Sequence, residues 1–224
     1  MKSAVMPRPL LFPSGPLPWL KPAVFTGALV PLIALAVRAV RGTLGANAIA
    51  EGLNQLGLLA LTFLIASLTC TPLKTLTGAN WPIRIRKMLG LFAAFYAFLH
   101  LLTYAGLDQV LDFSAIVKDI TERKFILVGF IAFLLLVPLA ITSTAGMLKR
   151  LGFLWWKRLH RLAYVAATLG VLHFVMRVKK DVTEPAIYGG ILGLLFAIRI
   201  ASYLKERGAP AGARGAKGNE RGVA

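Results

Sequence analysis

Apolar residues fall into six long runs along this chain, and the stretches between the runs hold most of its charged residues. About 20 apolar residues in helical form span the hydrocarbon core of a bilayer. The pattern therefore predicts an all-α fold, an integral membrane bundle of six transmembrane helices. We expect these helices at residues 22–37, 53–73, 88–107, 125–143, 157–176 and 185–204.

The segments outside the runs complete the predicted organisation. Residues 1–21 form a basic, proline-rich tail, and residues 205–224 form a second basic tail, rich in glycine and alanine, that we expect to be disordered. Residues 22–204 between them make one transmembrane domain. The stretch 108–124 mixes acids and bases with apolar residues, so part of it is expected to be an amphipathic helix at the membrane surface. Arg199, near the end of the sixth helix, is expected to extend its side chain to the nearer interface.

Composition and charge agree with a membrane protein that has no large soluble domain. Hydrophobic residues make up 57% of the chain, and the mean hydropathy is +0.71. The net charge of +17 is also compatible with nucleic-acid binding. However, lysines and arginines flank the apolar runs instead of covering one surface, which favours membrane lipid over nucleic acid as the partner. Cys70 is the only cysteine, so an intrachain disulfide is excluded.

The distribution of basic residues predicts the orientation in the membrane. Sixteen lysines and arginines lie in the two tails and in the stretches after the second and fourth helices, and eight lie in the other three stretches. Seven of the nine acids lie in those other stretches. Because cytoplasmic segments are enriched in lysine and arginine, both termini are predicted to be cytoplasmic.

Two of the three histidines are predicted to lie at the same depth. His100 comes thirteen residues after Lys87, and His173 comes twelve residues after Arg161, on two helices that both run outward. At 1.5 Å per residue, both rings lie roughly 18–20 Å from the cytoplasmic interface. Imidazole is a common axial ligand of haem iron, and a low-spin electron-transfer haem usually needs two such ligands from facing helices. We therefore predict a haem b between His100 and His173, although each histidine could instead be a packing residue.

His160 is a less clear ligand candidate. It lies at the expected cytoplasmic edge of the fifth helix, where it could ligate a second haem or simply reach the interface. No histidine lies at the base of the third helix, where Met88 is chemically able to ligate iron and Arg86 could bind a haem propionate or a flavin phosphate. On one ideal helix, His160 and His173 point roughly 140° apart. The number of haems therefore stays open, and an arginine such as Arg86 is most often a positively charged anchor at the cytoplasmic face.

Three segments of the chain resemble a known family. They are LTCTPL in the second helix, IRKMLGLFAAFYAFLHLL in the third, and TSTAGMLKRLGFLWWKRLHRLAYVAATLGVLHF leading into the fifth. Together they resemble MsrQ (YedZ), the haem-binding membrane subunit of bacterial MsrPQ protein-methionine-sulfoxide reductases, in the wider ferric reductase-like transmembrane group. The resemblance covers about residues 22–204.

The resemblance implies a function and a set of site residues. The haem ligands of the family fall on His100, His160 and His173, and a family arginine falls on Arg86. The chain would pass electrons from the quinone pool, or from a cytosolic flavin reductase, across the bacterial inner (cytoplasmic) membrane to MsrP, a periplasmic molybdopterin enzyme that repairs oxidised methionine in proteins. The chain would be the electron-transfer subunit, and sulfoxide reduction would occur in the partner. FMN is a further implied cofactor. One of the four haem-ligand histidines of the wider group is missing, which leaves the second haem undecided.

Two other functions remain open at this point. The first is a stand-alone transmembrane cytochrome b that reduces ferric iron or oxygen without a dedicated partner. The second is a scaffold or small transporter whose histidines bind a proton or a metal. Acidic residues that could form a proton relay are missing from the centres of the predicted helices, which disfavours a transporter.

Overall fold

The computed structural model describes residues 17–178 and 180–208. Within these ranges the chain forms nine α-helices and one short π-helical segment, residues 104–108. The helices are α1 (Leu20–Val40), α2 (Ala48–Thr77), α3 (Trp81–Thr103), α4 (Phe113–Glu122), α5 (Lys124–Ile141), α6 (Ala145–Leu151), α7 (Phe153–Leu159), α8 (Leu162–Arg177) and α9 (Thr183–Gly208).

Six helical segments of the described ranges are long and apolar enough to cross a bilayer, as predicted. They are α1, α2, α3 with the π-helical segment, α5, α7 with α8, and α9. The protein is therefore an all-α, multi-pass membrane protein. Helix α4 is too short to cross, and it occupies the stretch where an amphipathic surface helix was expected. The two expected tails, residues 1–21 and 205–224, lie outside the described residues except for 17–21 and 205–208. Residues 205–208 continue α9.

The transmembrane helices form two antiparallel pairs, α2 with α3 and α5 with α8, which face each other. Helix α2 is central, because its residues Leu61, Leu64 and Leu68 join a buried cluster with residues of α3, α5, α8 and α9. Helix α1 packs on the outside of α2 and α3. The fully buried Tyr96 of α3 fixes α1 in place by donating a hydrogen bond of 2.6 Å to the carbonyl oxygen of Ala28.

The helix ends differ from the prediction at the turn between α2 and α3. We expected a loop over 74–87, whereas only residues 78–80 separate the two helices. Gly78 ends α2 with a φ of 75°, a conformation that favours glycine, and its N–H bonds the carbonyl of Lys74. Pro72 lies inside α2 and removes the N–H that would bond the carbonyl of Leu68. Arg199 supplies the missing donor, since its Nη2 lies 2.6 Å from that oxygen.

The fifth transmembrane segment is interrupted, although we expected one continuous helix over 157–176. Helix α7 ends at Leu159 and α8 begins at Leu162, so that His160 and Arg161 form the break. The angle that an ideal helix would impose between His160 and His173 therefore does not apply.

The two ends of the bundle differ in charge. The basic end carries the α2–α3 turn and α6–α7, and the mixed-charge end carries the α1–α2 connection and α4.

Candidate functional site

The structure brings His100 of α3 and His173 of α8 together inside the bundle. The centroids of the two rings lie 6.2 Å apart, and the ring planes are inclined by 83°. An iron bound about 2 Å from one nitrogen of each ring would separate the centroids by about 6 Å. The two histidines therefore lie close together, and their spacing suits two ligands of one metal, while their role as ligands stays a prediction.

His100 is held by the backbone of α2. Its Nδ1 lies 2.9 Å from the carbonyl oxygen of Leu53. A carbonyl only accepts hydrogen bonds, so Nδ1 carries the proton and Nε2 keeps a free lone pair. Gly57, one helical turn after Leu53, makes room for the ring, because a Cβ at this position would lie 3.2 Å from Nδ1 and Cε1 of His100.

His173 is held in the same manner by α5. Its Nδ1 lies 2.7 Å from the carbonyl oxygen of Phe125, and Gly129 follows one turn later. A Cβ at Gly129 would lie only 2.6 Å from Nδ1 of His173, closer than real Cβ contacts allow. Each imidazole therefore has one fixed nitrogen and one available nitrogen, and each is accommodated by a glycine of the facing helix.

A cavity of about 380 Å³ surrounds the histidine pair. This volume lies in the range typical of small-molecule and cofactor sites. Apolar side chains form its walls, including Leu61, Leu101 and Leu136, whereas charged side chains line it at the mixed-charge end, which we take as its opening. The charged and amide residues at the opening are Asn54, Asp108, Arg123 and Arg177. Two free imidazole nitrogens, apolar walls and a charged opening fit a haem b.

Helix α4 covers part of this opening. Its residues Ile116 and Ile120 line the cavity. Asp119 fastens the helix, since it accepts hydrogen bonds from the Tyr104 hydroxyl (3.1 Å) and the Gln109 amide (3.3 Å). The Arg123 guanidinium lies 3.4 Å from the same carboxylate oxygen. The cover is therefore tied to the π-helical end of α3, a short distance beyond His100.

His160 lies far from this pair, at the basic end. Its ring stacks on Trp156, with centroids 4.0 Å apart, and its Nε2 lies 3.2 Å from Oγ1 of Thr142. Thr142 also accepts, through its carbonyl, a hydrogen bond from the Trp156 indole. Met88 packs into buried clusters between α1, α2 and α3 instead of turning toward His160. The described residues thus give His160 defined partners but no second histidine.

Two arginines accompany His160 at the basic end. Arg86 donates a hydrogen bond of 3.1 Å to Oγ1 of Thr71. Arg199, which we expected to reach the interface, instead turns inward to the hydroxyl of Tyr164 and to α2. Its Nε is buried without a hydrogen-bond partner among the described residues. The sequence carried no direct signal for this inward turn.

The central part of the chain matches the family model described as "Ferric reductase like transmembrane component", over residues 51–171. This region runs from the start of α2 to the middle of α8. It contains His100 and His160 and stops two residues before His173.

Several curated proteins are similar over most of their length. A protein of Rhodospirillum rubrum is 53% identical, over 83% of this chain and 89% of its own. Proteins of Herminiimonas arsenicoxydans and Deinococcus radiodurans are 47% and 46% identical, over 84% and 83% of this chain and 88% and 91% of their own. All three are named protein-methionine-sulfoxide reductase heme-binding subunit MsrQ.

Proposed function

This chain belongs to the MsrQ family of haem-binding subunits, within the ferric reductase-like transmembrane group, and from that premise we propose that it is the membrane electron carrier of a protein-methionine-sulfoxide reductase. It receives electrons from the quinone pool, or from a cytosolic flavin reductase. It delivers them to a periplasmic molybdopterin enzyme, MsrP, for the repair of oxidised periplasmic proteins. The observation that carries this proposal is the pair of facing imidazoles in an apolar cavity.

His100 and His173 are proposed as the two iron ligands of a haem b. Bound there, the haem supplies a one-electron carrier. The backbone carbonyls of Leu53 and Phe125 hold the ring protons on Nδ1, so that both Nε2 atoms would be free to bind the iron without a change of tautomer. The two histidines come from helices anchored in separate pairs, which limits their movement between redox states. The apolar walls exclude water.

We propose that the protein lies in the bacterial inner membrane with the basic end in the cytoplasm. The α2–α3 turn region alone carries Lys74, Arg84, Arg86 and Lys87, whereas the acids of α4 lie at the opposite end. This asymmetry follows the positive-inside rule. The histidine pair then lies toward the periplasmic face, where a periplasmic enzyme can approach the opening of the cavity.

The basic end is the proposed entrance for electrons. We assign His160 to a second haem and Arg86 to an anionic group of that haem or of FMN, both by family resemblance. The partly buried charge of Arg86 beside Thr71 supports an anionic ligand. The haem content of the His160→Ala variant distinguishes a second haem from a structural histidine, because only a ligand role predicts a loss of haem.

Reconstitution with the partner tests the proposed function. The full-length chain in lipid nanodiscs is reduced with a quinol, and purified MsrP is added with or without methionine sulfoxide. We expect reoxidation of the b-type absorbance only when MsrP and its substrate are both present. His173→Ala, which removes a ligand, is expected to abolish the signal. Equal reoxidation by ferric citrate or oxygen without MsrP would instead support a stand-alone reductase.

A further inference from the structure

Arg177 is a cation at the opening of the cavity that forms no ion pair with a carboxylate among the described residues. It lies half-buried at the end of α8 and lines the cavity together with His173, which precedes it by four residues. Residues four apart lie on the same face of a helix, about 6 Å apart along its axis. The side chains of His173 and Arg177 therefore leave α8 on the same face, one turn apart, and both line the cavity.

Arg123, the other arginine at this opening, differs from Arg177 in its ion pairing. Arg123 forms an ion pair with Asp119 at 3.4 Å. No ion pair joins Arg177 to any carboxylate among the described side chains. Arg123 is thus neutralised by direct contact with a carboxylate, whereas Glu184 acts on the charge of Arg177 without forming an ion pair with it. A half-buried cation that no carboxylate contacts directly is costly in a membrane protein.

The orientation of Arg177 is fixed by uncharged groups. Its Nη1 donates a hydrogen bond to the side-chain oxygen of Asn54 on α2. Its guanidinium carbon lies 5.8 Å from the centroid of the Phe174 ring. Asn54 directly follows Leu53, whose carbonyl holds His100, so that α2 positions both a ligand and the arginine. A guanidinium has five N–H donors, and Asn54 uses one of them.

We propose that Arg177, oriented by Asn54 and Phe174, forms a carboxylate-binding site for the propionate edge of the porphyrin that the two histidines hold. This inference rests on the proposed haem. Arg177 is a positioning residue in this arrangement, because it fixes which edge of the ring faces the opening. Its charge also stabilises the reduced state of the site, since reduction adds an electron nearby.

A porphyrin without free carboxylates tests the site directly. The full-length chain, expressed under haem limitation, is loaded with haemin or with haemin dimethyl ester, and the rate of loss to excess apomyoglobin is measured. We expect the wild type to lose the ester about tenfold faster than the free acid, because a charge-assisted pair is missing. Arg177→Gln is expected to lose both porphyrins at the faster rate. Arg177→Lys is expected to keep part of the difference between the two rates.

Two further variants make the result specific. Lys180→Gln removes an exposed cation at the same end and is expected to behave as the wild type. Asn54→Leu keeps the charge of Arg177 but removes its orienting partner, so we expect a smaller difference between the loss rates of haemin and its ester than in the wild type. This variant keeps the test valid if Arg177→Gln folds poorly. In Arg177→Gln the bis-imidazole absorption should persist with a lower midpoint potential, which a merely structural residue would not alter.

The possible failures are distinguishable. A wild type that binds no haem overturns both the proposed function and this inference. A wild type that retains both porphyrins equally, or an Arg177→Gln variant that discriminates as well as the wild type, overturns only the carboxylate site. Slower electron transfer to MsrP with unchanged haem retention would also contradict it, because Arg177 would then face a protein partner.

Discussion

Gly129 decides whether His173 can occupy its position. The ring lies against the backbone of α5, and a Cβ on Gly129 would reach 2.6 Å from Nδ1, the atom that donates to Phe125. Gly57 has the same role for His100 with more space, at 3.2 Å. The glycines therefore fix the ring positions, and the carbonyls one turn earlier fix the ring protons.

Gly129→Ala is accordingly expected to lower haem affinity. The added methyl group displaces the His173 ring and breaks its hydrogen bond to the carbonyl, and the loss of such a supporting bond typically costs 10- to 100-fold in metal affinity. We expect a reduction of at least about tenfold in haem affinity. Haem retention after dilution of the purified protein measures this effect.

Gly193→Ala provides the matched control. A Cβ at Gly193 of α9 meets no atom within 4 Å, so the same substitution in the same membrane domain should leave haem binding unchanged. A Gly129→Ala protein that retains haem as well as this control would show that the ring does not need its present position.

Sequence alone located the two histidines but not their surroundings. Their equal depth followed from counting residues from Lys87 and Arg161, because rise per residue is nearly constant in helices. The roles of Gly57, Gly129 and Arg177 depend on which faces of α2, α5 and α8 meet. A single sequence does not specify how each helix is rotated about its own axis. Apolar periodicity gives little help, because both the lipid-facing and the core-facing sides of the helices are apolar.

At the scale of elements, helix α4 covers one end of the cavity and follows a strained turn. The chain leaves the π-helical segment through Val110 and Leu111, which have φ values of 47° and 59°. Non-glycine residues seldom adopt this region, and such strain tends to occur at functional sites. Asp119 then fastens α4 to Tyr104 and Gln109. The contacts of Asp119 therefore tie α4 to the end of α3 across a strained turn.

Asp119→Asn is expected to loosen α4. The amide replaces a charged acceptor, so the pairing with Arg123 is lost and the other bonds weaken. A charge-assisted hydrogen bond contributes about 1.5–3 kcal/mol. Hydrogen exchange of the amides of α4 should accelerate by at least about tenfold, measured by mass spectrometry in nanodiscs.

The control for this change is Glu122→Gln, which removes one negative charge from an exposed position of the same helix. Its exchange rates should match those of the wild type. Equal protection of α4 in the Asp119→Asn protein would show that Asp119 does not hold the cover.

Helix boundaries were harder to predict than the helices themselves. The second helix was expected to end at residue 73, directly after Pro72, which removes a backbone donor. The helix continues because Arg199, distant in sequence, donates to the carbonyl of Leu68 that Pro72 leaves free. The break at His160 was not predicted, because no glycine or proline at this position indicates that the helix is interrupted. Both features depend on tertiary contacts, which local patterns do not contain.

The whole molecule is a bundle with two electrostatically different ends. The histidine pair lies nearer the mixed-charge end, and His160 with Arg86 lies at the basic end. This separation suits a carrier that accepts electrons at one face and delivers them at the other. The six-helix architecture followed from the apolar runs alone, because crossing a bilayer imposes a fixed minimum length.

The proposed orientation predicts the labelling of single cysteines. In a Cys70→Ala background, Ser114→Cys places a thiol on α4, and Gly146→Cys places one on α6 at the basic end. A membrane-impermeant maleimide added to intact spheroplasts should label Ser114→Cys only, and lysis should expose Gly146→Cys. The reverse pattern would place the histidine pair toward the cytoplasm and contradict delivery to a periplasmic enzyme.

Haem content per polypeptide, measured as the pyridine haemochrome together with the dithionite-reduced spectrum, tests the central claim most directly. We predict a low-spin b-type spectrum for the wild type, and loss of the haem of this site in His100→Ala and in His173→Ala alike, because each supplies one of two axial ligands. His160→Ala should keep that haem. Wild-type haem content and an unchanged spectrum in both His100→Ala and His173→Ala would contradict the account.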